Sequence, residues 1–203
     1  MKRKSLLSFG RVTATTAAAV ALTVMAVGPA AANPSTATRQ GSQVRWTAFS
    51  GEMNNLLVDD FLGLVRVSDP GIIAGPGCTT LAPQASVTCG TIASTSRLSL
   101  TGGNLNDTID IQDSLTIPAD IVGGPGADDI DAANGSDRIT DSDGWPALPG
   151  SPNVSAEGGD DTVMVRNGGF DRVICGSGFD TVIADPVSRD VVDPVSCERV
   201  IRY

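Results

Sequence analysis

Seven aspartates in the C-terminal half of the chain share one slot of a nine-residue pattern. In "GGPGADDID", residues 123–131, glycine stands at positions one, two and four (Gly123, Gly124, Gly126), aspartate at six (Asp128) and an apolar residue at eight (Ile130). The next nine residues, "AANGSDRIT", put Gly135, Asp137 and Ile139 at four, six and eight. Upstream, "GGNLNDTID" opens on Gly102 and carries Asp107 and Ile109. Downstream, "AEGGDDTVM" carries Gly159, Asp161 and Val163, and "RNGGFDRVI" carries Gly169, Asp171 and Val173. "CGSGFDTVI" carries Gly176, Gly178, Asp180 and Val182, and a worn last copy within "ADPVSRDVV" keeps Asp190 and Val192. The aspartates are spaced by 21, 9, 24, 10, 9 and 10 residues, so the long gaps are insertions.

These residue types at this spacing suit a hard cation. Glycine permits positive φ, a tight bend and close approach of backbone carbonyls. A β-branched residue two places after each aspartate suits a short strand facing a core. Two such units make one turn of a parallel solenoid, strand–loop–strand–loop, whose stacked strands lie about 4.8 Å apart. Two carboxylates at that distance repel by about 1 kcal/mol in water and about 3.5 kcal/mol at an effective dielectric of 20. Calcium, with oxygen ligands at about 2.3–2.6 Å, can touch two adjacent loops and remove the repulsion, whereas magnesium demands a smaller, near-octahedral shell. Asp161 with Asp180, Asp171 with Asp190, and Asp107 with Asp128 are one turn apart by count and are the expected pairs; Asp137 must stack across the long insertion. A lone aspartate in a glycine turn reads as a plain Asx-turn. Seven in register read as a ladder.

The pattern resembles the G-G-x-G-x-D-x-U-x nonapeptide of RTX, or haemolysin-type, calcium-binding repeats. The resemblance covers roughly residues 101–195, and the tail "DRVICGSGFDTVIAD…CERV" is similar to the closing segment of secreted actinobacterial repeat proteins. It implies calcium as the cofactor and an all-β fold, a parallel β-helix or β-roll. It also implies ligands from Gly102, Asp107, Gly123, Gly124, Gly126, Asp128, Gly135, Asp137, Gly159, Asp161, Gly169, Asp171, Gly176, Gly178, Asp180 and Asp190. Leu105 in place of the fourth-position glycine, and Ala132 and Ala133 in place of the first two, depart from the pattern.

The elements that must hold this ladder follow from the rest of the chain. "VRWTAF", "NLLV", "LVRVSD", "SVTCGT" and "RLSLTG" read as short strands between turns. A solenoid needs a cap over its end strands, so 44–100 is expected as a strand-rich cap or early coils, with a separate small sandwich as the alternative. Residues 33–43 read as a flexible polar lead-in. "DSDGWPALPGSPNVS", 141–155, reads as a protruding loop. Trp46 and Trp145 are expected as a packed cap residue and a partly buried loop residue rather than as ligand-stacking platforms.

The chain begins with a basic stretch, an apolar run and small residues before Ala32–Asn33, the layout of a cleaved secretory leader spanning 1–32. Loss of Lys2, Arg3, Lys4 and Arg11 takes the formal charge from −9 to −13. From Asp107 to Glu198 there are 19 acidic residues against four arginines. That balance argues against nucleic acid, and no later segment is apolar enough to insert into a membrane. Cys78, Cys89, Cys175 and Cys197 are expected as two disulfides in an oxidising, extracellular setting. Three pairings exist, and the local ones, Cys78–Cys89 and Cys175–Cys197, close short loops worth roughly 3 kcal/mol each. A chain without histidine has no zinc site of the usual kind, no Ser–His–Asp triad and no histidine base, so an enzyme is not expected. The expectation is a secreted calcium-binding repeat protein in which metal binding and folding are one event. A calcium-dependent adhesin or carbohydrate-binding module with a cell-surface or glycan partner is the alternative. A β-helix polysaccharide-active enzyme is less favoured, because aromatic platforms and basic residues are scarce.

Overall fold

The computed structural model describes residues 34–82, 85–143 and 153–203. The expected leader, Trp145 and most of the 141–155 loop lie outside the described residues.

The short alternating runs form strands, and the N-terminal ones do so as read: β2 (Gln43–Thr47), β3 (Asn55–Phe61), β4 (Leu64–Ser68), β7 (Ser86–Thr91) and β8 (Arg97–Thr101). Three more strands precede or interrupt them: β1 (Thr36–Gln40), β5 (Ile73–Ala74) and β6 (Thr79–Leu81). The repeat contributes β9 (Thr108–Ile111), β10 (Ala119–Val122), β11 (Asp129–Asp131), β12 (Arg138–Thr140) and β13 (Val154–Ser155). It continues with β14 (Thr162–Met164), β15 (Arg172–Ile174), β16 (Thr181–Ala184), β17 (Val191–Val192) and β18 (Arg199–Arg202).

From β2 and β3 onward the chain alternates between two sheets and every pairing along the stack is parallel. One sheet runs β2-β8-β10-β12-β14-β16-β18 and the other β3-β9-β11-β13-β15-β17. The result is an all-β parallel solenoid of about five turns. Register places the eighth-position residues in two columns. Leu56, Ile109, Ile130, Val154, Val173 and Val192 align in one. Trp46, Leu100, Ile121, Ile139, Val163, Val182 and Val200 align in the other. All but Val200, on the last turn, are buried. A buried Val or Ile is worth about 1.5–3 kcal/mol, so a turn with two of them gains little alone and depends on its neighbours. Trp46, fully buried at the base of its column, is a packing residue as expected.

The stack reverses direction at its N-terminal end. β1 pairs antiparallel with β2, and β4, β7 and β6 form an antiparallel meander beyond β3. This is the expected cap. The alternative of a separate sandwich does not hold, since β2 and β3 are the first coil of the same sheets. Within the expected flexible lead-in, 33–43, Thr36–Gln40 is instead strand β1. Ala37 is buried there, and Arg39 donates to the carbonyls of Cys89 and Ser94, which gives a polar segment enough partners to order. Both local disulfides are present: Cys78–Cys89 within the cap and Cys175–Cys197 across the last turn. Among the described residues no helix is long and apolar enough to cross a membrane.

Candidate metal-binding loops

Each sixth-position residue lies at the entry of a strand, where its N–H needs an acceptor. For Asp107, Asp137, Asp161, Asp171 and Asp180 the carboxylate one turn later supplies it. On the edge that leads from the first sheet to the second, Asn54 N–H donates to Asp107 Oδ1 (2.7 Å), Asp107 N–H to Asp128 Oδ1 (2.9 Å) and Asp171 N–H to Asp190 Oδ1 (3.2 Å). On the returning edge, Ala119 N–H donates to Asp137 Oδ1 (2.7 Å), Asp137 N–H to Asp161 Oδ1 (2.7 Å) and Asp161 N–H to Asp180 Oδ1 (2.8 Å). Asp180 N–H closes the series on Glu198 Oε2 (2.8 Å). The expected pairs therefore stack as counted, and Asp137 finds Asp161 across the insertion. One oxygen each of Asp107, Asp128, Asp137, Asp161 and Asp180 serves a main-chain N–H, which the count of charges did not show.

The other oxygens divide the ladder. Oδ2 of Asp107, Asp128, Asp137, Asp161 and Asp180 is buried and has no hydrogen-bond partner, although each residue is at most 4 % exposed. Burial, helped by neighbouring carboxylates, pushes Asp128 up to about 6 and Asp161 up to about 7. Desolvation takes Asp137 to about 6 and raises Asp107 and Asp180 as well. Burial raises Asp171 as well, to about 6, and Asp190, but the oxygens of these two are met by donors. Asp171 Oδ2 accepts from Asn167 Nδ2 (3.0 Å) and its Oδ1 from Asn153 Nδ2 (2.8 Å). Asp190 Oδ2 accepts the Asp185 N–H.

Loop conformation divides the same way. Positive φ at positions two and four occurs in four loops: Gly103 and Leu105, Gly124 and Gly126, Glu157 and Gly159, Gly176 and Gly178. These form two stacked pairs, 102–107 under 123–128 and 156–161 under 175–180. In the first, a β-carbon on Gly124 or Gly126 would strike the carbonyl of Gly103 or Leu105. In the second, a β-carbon on Gly176 or Gly178 would strike the carbonyl of Glu157 or Gly159. Carbonyls of the lower loop thus project at the upper loop, and glycine is needed on the upper side. Leu105 keeps the glycine-like bend, so its departure from the pattern costs the loop none of its shape. Gly102 and Gly123 admit the Oδ2 of Asp107 and Asp128 beside them. Gly135 is crowded by the Ile117 carbonyl and Asp137. Gly169 donates to Asn167 Oδ1 in an Asx-turn (2.7 Å), and its loop turns left-handed at Gly168 instead.

Among the described residues no three His, Cys, Asp or Glu side chains converge to hold a metal alone. A cation here would take one or two carboxylate oxygens and complete its shell with main-chain carbonyls. Buried carboxylate oxygens without partners, next to projecting carbonyls, fit that donor set. Counting missed Asn54 and Glu198, which end the two ladders, and Asn153 and Asn167, which satisfy Asp171. The spacing of Asn54 and Glu198 from their neighbours follows strand register and was readable only with the cap and last turn in place. Compared with protein-family models, curated proteins and solved structures, the chain matches none.

Proposed function

We propose that the chain is a secreted calcium-binding β-roll of the RTX type, whose ions sit between stacked Gly/Asp loops and stabilise the fold. The observation that carries this reading is the set of five buried, unpartnered Oδ2 atoms. An ionised carboxylate oxygen left unpartnered in the interior costs several kcal/mol, and seven stacked carboxylates repeat a similar arrangement. A proton on each would lift that cost only by giving up the charge. Calcium lifts it while keeping the charge, and its six to eight oxygen ligands can be drawn from carboxylates, carbonyls and water.

Asp107 with Asp128, and Asp161 with Asp180, are the residues to hold the ions, with the carbonyls of Gly103, Leu105, Glu157 and Gly159 beside them. Asp137 extends the returning edge. Asp171 and Asp190 serve the stack through amide donors. The ion's part is to neutralise adjacent loops; the chain's part is to bend them, orient their carbonyls and shield the carboxylates from water. Two disulfides fit an oxidising destination, and extracellular modules bind calcium with dissociation constants of about 10⁻⁴–10⁻³ M. Such a chain folds where calcium is plentiful. Calorimetric titration of calcium into chelated protein tests the reading. Saturable binding of more than one ion supports it, and a flat isotherm to millimolar calcium refutes it.

A further inference from the structure

One turn of the first edge departs from the repeat in a way that adds chemistry. Strand register sets Thr140 beside Val122, and Gly123 N–H donates to the Thr140 carbonyl at 3.0 Å. Asp141 therefore stands where the turn before has Gly123. Asp141 is 2 % exposed, and its Oδ1 is buried without a partner. Its Oδ2 accepts from Asn153 Nδ2 at 3.3 Å.

A second orphan lies next to it. Oδ2 of Asp128, also unpartnered, lies so near Gly123 that a β-carbon there would collide with it. Gly123 is thus bracketed by an unpartnered oxygen from its own loop and the aspartate of the next turn. Asp143 accepts from Gly126 N–H at 3.2 Å, and Asp171 is within hydrogen-bonding reach of Asp141. Among the described residues no ion pair offsets this charge. The ion pairs among the described residues, Arg66–Asp59 and Arg97–Asp120, lie elsewhere. Arg166 shares a cleft of about 470 Å³ with Asp141, but its guanidinium stacks on the Tyr203 ring at 4.3 Å.

We propose that Asp141 and Asp128 form a calcium site outside the nonapeptide pattern, with Asp143 and Asp171 adding negative charge around it. The aspartate at a position that glycine holds in the two turns before, at Gly102 and Gly123, gives this rung a second carboxylate ligand, where those rungs rely on carbonyls. The site rests on the reading that the orphaned sixth-position oxygens bind calcium.

Calorimetric titration of calcium into the chelated wild type, Asp141→Asn and Asp141→Gly tests it. Glycine is the residue that Gly102 and Gly123 show this position to accept, so the second variant stands in if the first does not fold. Both variants are expected to bind one calcium fewer per chain and to keep the others. Chelated Asp141→Asn is also expected to melt above the chelated wild type, because a buried charge is gone. If the variants bind as many ions as the wild type, the site is overturned while the broader calcium reading stands; that result includes the case in which Asp141 and Asp171 share a proton instead. If the wild type itself binds no calcium, both readings fall.

Discussion

Asp161 over Asp180 and Asp171 over Asp190 are each separated by 19 residues and each stacks by the same N–H···Oδ1 bond, yet they solve the same electrostatic problem differently. In the first pair the second oxygens are buried and unpartnered. In the second they receive Asn167 and the Asp185 main chain. Around the second pair, Asp185 Oδ2 also accepts the N–H groups of Asn167 and Gly168, and Arg189 donates to the Gly168 carbonyl. Protein donors there occupy the oxygen acceptors that a cation would otherwise engage. One sequence pattern therefore supports two states of a loop: one closed by protein donors, and one left short of positive charge.

The largest expected break in this comparison comes from glycine. Gly178→Ala drives a β-carbon into the Gly159 carbonyl at φ +141°, and backbone cannot move aside cheaply. A loss of about 3 kcal/mol or more is expected, read as a fall in melting temperature. Gly168→Ala, at φ +87° with open space around it, should cost only about 1 kcal/mol. Equal costs would mean that the two loop types are not packed differently.

Asparagine substitutions should have opposite signs in the two pairs. Asp161→Asn keeps the Oδ1 acceptor and removes a buried charge, so the chelated protein should gain about 2 kcal/mol while its response to calcium shrinks. Asp171→Asn sets an amide donor against the Asn153 or Asn167 donors and should lose about 1–2 kcal/mol with or without calcium. Chemical denaturation with and without chelator separates the four cases. A loss at both positions in chelator would remove the case for an unmet charge at Asp161.

A smaller, graded effect is expected from pH. Asp128, Asp131, Asp137 and Asp171 are raised to about 6, Asp161 to about 7 and Asp141 to about 8, so between the ordinary carboxylate range and those values the folded chain holds more protons than the unfolded one. Stability of the chelated protein is then greatest in acid and falls as pH rises from about 4 to about 8, by at most about 1.4 kcal/mol per titrating group for each pH unit. Calcium should flatten this slope, because it replaces the protons. Melting curves at half-unit pH steps check both statements; stability that rises with pH in chelator contradicts them.

Much of this was legible from spacing. Period-nine glycines and the β-branched residue two places after each aspartate fixed the coil, its core column and three stacking pairs, because these depend on local conformation and short strands. The cap strands β1, β5 and β6 were not legible. They are short or polar, and they order through partners far along the chain, as Arg39 does with Cys89 and Ser94. The role of Asp141 was hidden for a similar reason: its place opposite Gly123 is set by register, and the insertion that follows it interrupts the count. Nor does a pattern of glycine and aspartate say which second oxygens are met by asparagine amides; Asn167 does this from a position that glycine holds in the most regular copies.

The most direct measurement is the melting temperature and far-UV circular dichroism of the chelated protein as calcium is raised from micromolar to about 10 mM. A saturable gain in strand signal and in melting temperature is expected, at neutral pH more than in acid. A strand signal and melting temperature that do not move over that range would contradict the calcium reading.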